Sequence, residues 1–586
     1  MFSRRCAPAV FLFLVSSLYS QTSAPNPSAP TPTFKAKVRV VLLDVVVTAG
    51  KDEPVLGLKK KDFEVFENGK PQSISTFEEH KSAPLTQIKL PPMPPGIYTN
   101  FPIVQTSDSV NVLLLDSLNT QPQDQAYVNA QVIKYLQGIR PGTRLAIFTL
   151  ASRLRMLLGF STDSGEILAG LKSTKNGGLK PQISPLLPSA SQVDTDEEIV
   201  SFMKQNKASP AAIAAVRQFQ QDKAAFDAGS RIEMTLQALQ QLARYLSSIP
   251  GRKNIIWFAS SFPITIFPGG KDMQPIDAMR RYQEDIRQTA DLLTPEQVAI
   301  YPISATGLEG NAAYEEGHST SPQQQEEDLR EESETRAANQ SAMEELARDT
   351  GGHAFYNTNG LGDAMVNAVN DGTWYYTLTY TPADKKMNGK YRSIQVKLPD
   401  NKYKLAYRRG YYAEDAKTAA PVDAKQPQDP LWPLLGFGLP DFSQIVYKIR
   451  VLPSIPQPPP DAARIGSNRE LKGPITRYSV DFAISVQDLK FDITPDGLRH
   501  GDIEMMMIAY DHDGKPVNMT VRKAGIRLRP DAYNSFEQIG LPLQSEIDVP
   551  KGDTFLRTGV FDLGSNTAGT IEVPLSDGPV QSSAKK

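Results

Sequence analysis

One cysteine, Cys6, stands in a chain of 586 residues. It precedes the first apolar stretch, inside a segment that reads as a secretory signal, so the mature protein is expected to carry no thiol. That excludes disulfides, cysteine zinc sites and cysteine nucleophiles. Histidine is scarce as well. His80, His318, His353, His500 and His512 include no two within seven residues of each other, so no local His-x₃-His zinc pair exists. No charge of one sign dominates: 63 Lys+Arg against 65 Asp+Glu leave a net charge of −2. A chain so balanced has no basic field to gather nucleic acid, and Lys59-Lys60-Lys61 is too short a run to supply one. Long apolar runs are also missing. The apolar core Ala9–Val15 falls short of the roughly 20 residues that a membrane span needs, and no later stretch approaches that length. Gly269-Gly270 and Gly351-Gly352 lack the Lys-Ser/Thr of a phosphate loop, and Ser260-Ser261 lacks the glycines of a nucleophile elbow.

What is present begins with an address. Arg4 and Arg5, the apolar core and the small residues Ser16, Ser17 and Ser20 read as a signal peptide over 1–20, the alternative being a retained N-terminal anchor. A Pro/Ser/Thr/Ala-rich leader follows over 21–33. Export without disulfides fits a bacterial protein of the periplasm, the cell envelope or the extracellular space.

The body divides by periodicity. Val38–Val47 is β-branched. Asp62–Glu67 alternates polar and apolar residues before the turn Asn68-Gly69, and Ser73–Phe77 alternates again. These strands (34–80) are too few to bury a core alone, and they are expected to pair with the strands of 373–413 into one β-sandwich. A Pro-rich linker is expected over 81–109. From 110 to 370 apolar strands alternate with helices: strands at Val110–Leu115, Arg144–Thr149, Asn254–Ala259 and Val298–Ser304, and helices at Gln123–Leu136, Ile232–Ser247, Pro275–Leu293 and Ser341–Thr350. Such alternation predicts a mostly parallel sheet with helices on both faces, the Rossmann-like α/β class. Polar insertions read at Lys172–Gly229, with a helix expected near Ala211–Phe226, and at Gly307–Arg336. A linker (414–430), a second β-sandwich (431–575) and a polar tail (576–586) complete the chain. Asp511-His512-Asp513-Gly514 reads as a hairpin turn rather than a calcium loop, because Arg522 stands where an EF-hand needs Glu.

The most informative stretch is Asn111–Thr120, an apolar run ending in Asp116-Ser117-Leu118-Asn119-Thr120. In an open α/β sheet that junction is the C-terminal end of a strand, where ligand sites form. It resembles the Asp-x-Ser-x-Ser metal-binding segment of von Willebrand factor A domains, with Leu118 in place of the middle Ser. Asp62–Gly69, Pro250–Phe258 and Ala347–Gly352 are similar to segments of the bacterial von Willebrand factor A-related family, in its order and spacing over about Phe34–Tyr412. The resemblance implies a metal-ion-dependent adhesion site. Asp116 and Thr120 would be ligands to Mg²⁺ or Ca²⁺, with Ser230 from a second loop, while Thr235 reads as too far along the following helix; the alternative is an inherited strand end that holds no metal. The third loop, Ala259-Ser260-Ser261-Phe262, offers no carboxylate. Ser117, Asn119, Ser260 and Ser261 would form the rim that a protein ligand docks on. The function implied is adhesion or complex assembly without catalysis. Two alternatives stay open: a serine-type hydrolase using Ser260 or Ser261, and a structural envelope protein whose β-sandwiches carry the binding.

Overall fold

The computed structural model describes residues 40–50, 53–81, 93–94, 96–101, 109–140, 142–172, 180–187, 190–261, 289, 292–293, 296–307, 322–399, 402–413, 431–455 and 463–575. The expected signal and leader, most of the expected helix 275–293, His318, the linker 414–430 and the tail 576–586 lie outside the described residues.

Ser109–Asp116 forms the middle strand of a five-stranded sheet, and every residue after Ser109 is buried. An apolar run of this length fits a strand covered on both faces. Leu145–Leu150 lies parallel to it on one side and Arg252–Ala259 on the other, with Val298–Ser304 parallel beyond Arg252–Ala259. Leu154–Ser161 closes the far edge antiparallel. The chain builds outward from Ser109–Asp116 in one direction, then returns to build in the other. The strand order therefore reverses between Ser109–Asp116 and Arg252–Ala259, and their C-terminal ends frame a crevice at a topological switch point.

Helices cover both faces. Ile232, Leu236, Leu239 and Ala243, with Ala342, Met343 and Leu346, pack on Val112, Leu114, Ile255 and Trp257. On the opposite face Val128, Val132 and Leu136, with Leu361, Ala364 and Met365, pack on Leu113, Leu115, Ile256 and Phe258. One helix departs from expectation. It runs unbroken over Pro210–Leu246, 37 residues, or about 55 Å at 1.5 Å per residue. Ser209 starts it: its hydroxyl accepts the Ala212 N–H at 3.2 Å, and Pro210 takes the first helical position. The expected boundary at Gly229 is absent because Ala, Gln, Arg and Lys carry the helix through it. The helix Pro322–Thr350 also starts earlier than its periodicity predicts. It ends in a Schellman cap, with Gly351 at φ +83° and the Gly352 N–H donating to Ala347 O at 2.8 Å.

Two all-β units flank the α/β sheet. Val41–Ala49 pairs antiparallel with Tyr375–Tyr380 and with Lys404–Ala406, and Tyr375–Tyr380 pairs in turn with Ile74–His80. Glu64–Glu67 pairs with Tyr391–Lys397. Residues from before and after the α/β domain thus share one core, including Val41, Leu43, Phe63, Val65, Tyr376, Leu378, Ile394 and Val396. At the C-terminus Tyr447–Ile455, Ile475–Ile484 and Leu541–Pro550 face Arg499–Tyr510, Pro516–Leu528, Thr554–Asp562 and Thr567–Leu575 across a second core. The expected linker 81–109 needs correction here. Ile97–Thr99 adds to the edge of the C-terminal sheet beside Tyr447–Ile455. Asn100 fastens that addition, donating from Nδ2 to Phe442 O and Ile445 O at 2.6 and 2.8 Å and accepting the Tyr447 N–H. An open strand edge recruits even three residues of β propensity. Among the described residues no helix is long and apolar enough to cross a membrane.

The first sandwich encloses a charge. Glu67 and Arg392 are both buried and pair at 3.1 Å, and the hydroxyls of Tyr380 and Tyr411 each donate to Glu67 at 2.9 Å. Removing one partner of such a pair strands the other. Arg392→Leu is expected to destabilise this unit by about 3–5 kcal/mol in denaturant unfolding, and adding Glu67→Gln should recover part of the loss. A single-variant cost below about 1 kcal/mol would show that the pair does not hold the sandwich.

Candidate functional site

Asp116 ends the middle strand and is only 2% exposed. Its side chain points to the sheet face covered by Pro210–Leu246, as those of Val112 and Leu114 do, because successive side chains alternate along a strand. Trp257 stands opposite Leu114 in the neighbouring strand, so its indole lies diagonally beside Asp116. The indole N–H donates to Asp116 Oδ2 at 2.9 Å. The chain turns immediately after Asp116, and the Asn119 N–H returns to Oδ1 at 2.9 Å while Asn119 Nδ2 donates to Oδ2 at 2.8 Å. A carboxylate that closes on a backbone N–H a few residues ahead is the local device by which Asp stabilises turns.

Asn119 is fully buried and ties three segments together. Its Nδ2 also donates to Thr235 Oγ1 at 3.1 Å, and its Oδ1 accepts Arg231 Nη1 at 3.3 Å. Its backbone carbonyl accepts the N–H groups of Ser260 and Ser261, both at 3.2 Å. Arg231 and Thr235 lie four residues apart on one helix, which puts both on the face turned to the crevice. Thr120 Oγ1 accepts the Ser260 N–H at 3.3 Å, and Ser260 Oγ donates to Asp124 Oδ2 at 2.7 Å. A cavity of about 20 Å³, room for one water, lies beside the turn, lined by Asp116, Ser117, Thr120, Gln125, Asn129 and Phe258 among others.

Burial pushes the Asp116 carboxyl up to about 6, although the bonds from Asn119 and Trp257 favour its charged form. Burial likewise pulls the Arg231 guanidinium below its ordinary value, against the fields of Asp116 and Asp227.

The structure brings Asp116, Asn119, Thr120, Ser260 and Ser261 together and separates Ser230 from them. Ser230 sits inside the helix, one residue before Arg231 and so about 100° round the axis. Thr235, set aside on its distance along the chain, takes the place at the crevice. Asn119, expected on an exposed rim, is instead the buried tie, and Thr120 is buried too. Ser117, Ser260 and Ser261 remain half-buried at the mouth. Leu118 lies in the apolar core with Leu236 and Leu239, so the position where the resembled motif has a Ser points away from any ligand.

The expected cation set does not fit this geometry. A hard divalent ion needs the lone pairs of its oxygen ligands. Here those of Asp116 are directed at N–H donors, Thr120 accepts an amide, and a guanidinium stands alongside. Among the described residues no group of three or more His, Cys, Asp or Glu is placed to hold a metal ion. Arg231 and Trp257 escape sequence reasoning. Trp257 leaves one usable signal, since an indole N–H within a buried strand must find an acceptor.

By class this is a doubly wound α/β domain with a polar crevice at its switch point, carried between β-units. No family model matches the chain, and no curated protein does. Similar solved structures include an aerotolerance-related membrane protein from Bacteroides fragilis, 12% identical over 45% of this chain and 98% of that one, with a TM-score of 0.22. The conserved hypothetical protein BatB from Bacteroides thetaiotaomicron is 11% identical over 45% of this chain and 97% of its own, with a TM-score of 0.21. The pilus adhesin SpaC from Lactobacillus rhamnosus GG is 9% identical over 85% of this chain and 57% of its own, with a TM-score of 0.20. Likeness at this level carries no weight for function, which rests on the geometry of the crevice itself.

A carboxyl raised to about 6 on folding binds its proton more tightly in the native state than in the unfolded one. Its contribution therefore falls as pH rises from about 4 to about 6, by up to about 3 kcal/mol. In denaturant unfolding, the difference between wild type and Asp116→Asn should show that slope in this window and flatten above it. Parallel profiles for the two proteins would contradict the burial of an ionisable group here.

Proposed function

We propose that the chain is an exported protein-binding module of the von Willebrand factor A type, in which the α/β domain docks a protein partner at the mouth of the switch-point crevice. The observation that carries this reading is the use made of the crevice polar groups. Asp116, Asn119, Trp257 and Thr235 bond one another and leave Ser117, Ser260, Ser261 and Arg231 at the opening. Such an arrangement suits a fixed docking surface better than an activated nucleophile. The Ser260 hydroxyl donates a hydrogen bond to Asp124 with no imidazole in the pair, and Ser261 Oγ donates toward Asn119 O at 3.5 Å. The helix that carries Arg231 adds apolar surface. It is longer than the strand it covers, and its Phe219 and Phe226 are 68% and 70% exposed, as suits a partner-facing arm.

Ser117 lies at the mouth and outside the Asp116 bonding set, so Ser117→Arg should block docking while leaving the fold intact. In cross-linked pull-downs from bacterial envelope extract, the full-length variant is expected to recover at least fivefold less of each partner than wild type, at an unchanged melting temperature. Equal recovery would move the binding to the β-sandwiches. Labelling of Ser260 or Ser261 by a serine-reactive phosphonate would replace the reading with a hydrolase.

A further inference from the structure

We propose that Arg231 is a cation built into the crevice and that it receives an aspartate or glutamate side chain of the docking partner directly, with no metal ion between them. The proposal rests on the docking reading above and specifies its chemistry. Arg231 projects from the helix into the opening between the Asp116 turn and the end of Arg252–Ala259. Its bonds there are long and go to neutral acceptors, Nη1 to Asn119 Oδ1 at 3.3 Å and to Ser261 Oγ at 3.4 Å. Its Nε is buried and bonds nothing.

The carboxylates that could pair with it are engaged elsewhere. Asp116 takes N–H donors from Asn119 and Trp257. Asp227, one turn earlier on the same helix, pairs with Lys223 at 2.9 Å. Asp124 accepts the Ser260 hydroxyl. Among the described residues Arg231 forms no ion pair. A guanidinium does not shed its proton to escape burial, so the crevice holds a half-desolvated positive charge with spare donors. Asp116 and Asp227 reach it only through their fields; burial without a directly paired carboxylate is unfavourable, and the planar fork of Arg matches a carboxylate with two parallel bonds. Arg231 is the one cation bonded into the crevice among the described residues. A single acidic side chain therefore answers it better than a phosphate, which is better matched by several cations.

The test uses the full-length protein in EDTA with two blocked peptides, acetyl-Gly-Asp-Gly-amide and acetyl-Gly-Asn-Gly-amide, followed by saturation-transfer NMR. The aspartate peptide is expected to bind saturably without added metal and at least tenfold more tightly than the asparagine peptide. Arg231→Gln should weaken it at least tenfold, and Arg231→Lys, which keeps the charge and loses the fork, should fall between. Equal binding of the two peptides to wild type, binding that appears only with Mg²⁺, tighter binding of inorganic phosphate, or no binding at millimolar peptide would each overturn the proposal. These outcomes need no variant, so a folding defect in Arg231→Gln cannot obscure them. If they occur while Ser117→Arg still blocks capture, the docking reading stands and the Arg231 contact alone is wrong.

Discussion

A buried carboxylate governs the geometry of this molecule's crevice. Asp116 draws together the end of the middle strand, the turn that follows it, the neighbouring strand through Trp257, and the long helix through Asn119. Hydrogen bonds to a charged group contribute about 1.5–3 kcal/mol each, against a desolvation cost of several kcal/mol for the ion. The balance favours the native arrangement only when all the donors are in place. The polar set therefore acts as a unit, and its members fix one another's positions.

The same lone pairs cannot serve both an internal tie and a cation. In the resembled motif, hydroxyls and a carboxylate converge on an ion. Here an indole and an amide occupy the carboxylate, Leu118 is turned into the core, and Arg231 stands where positive charge would otherwise come from solvent. Since Arg231 and Thr235 share one helix face, the placement of the charge depends on the helix staying continuous through Gly229. The β-units hold the α/β sheet from outside the crevice, through contacts such as Gln297 Nε2 donating to Asp44 and Gln241 Nε2 donating to Pro433 O.

The parts of this arrangement that depend on local pattern were legible in the sequence. Val112–Leu115 is too uniformly apolar for a surface strand, and an aspartate closing such a run marks the end of a parallel strand where sites form. The loss of the middle Ser at Leu118 was legible too, as a departure from the metal pattern. What stayed hidden depended on where a helix begins. Ser209-Pro210 is a sound start signal for the helix expected near Ala211–Phe226, but Gly229 reads as a break between that helix and the one at Ile232–Ser247. A helix starting at Ile232 makes Ser230 a loop residue and puts Thr235 out of reach; the continuous helix reverses both. Ile97–Thr99 was hidden for another reason: three residues among prolines carry no period, and only the open edge of the C-terminal sheet makes them a strand. Trp257 needed register, since its bond to Asp116 follows from standing opposite Leu114.

Whether the positive charge of the crevice belongs to the chain or to an ion is settled most directly by counting ions. Titrating the full-length protein with Mn²⁺ and reading the free ion by electron paramagnetic resonance should show no stoichiometric site up to about millimolar concentration, the range of weak divalent sites. One Mn²⁺ bound per chain in wild type and absent in Asp116→Ala would contradict the account.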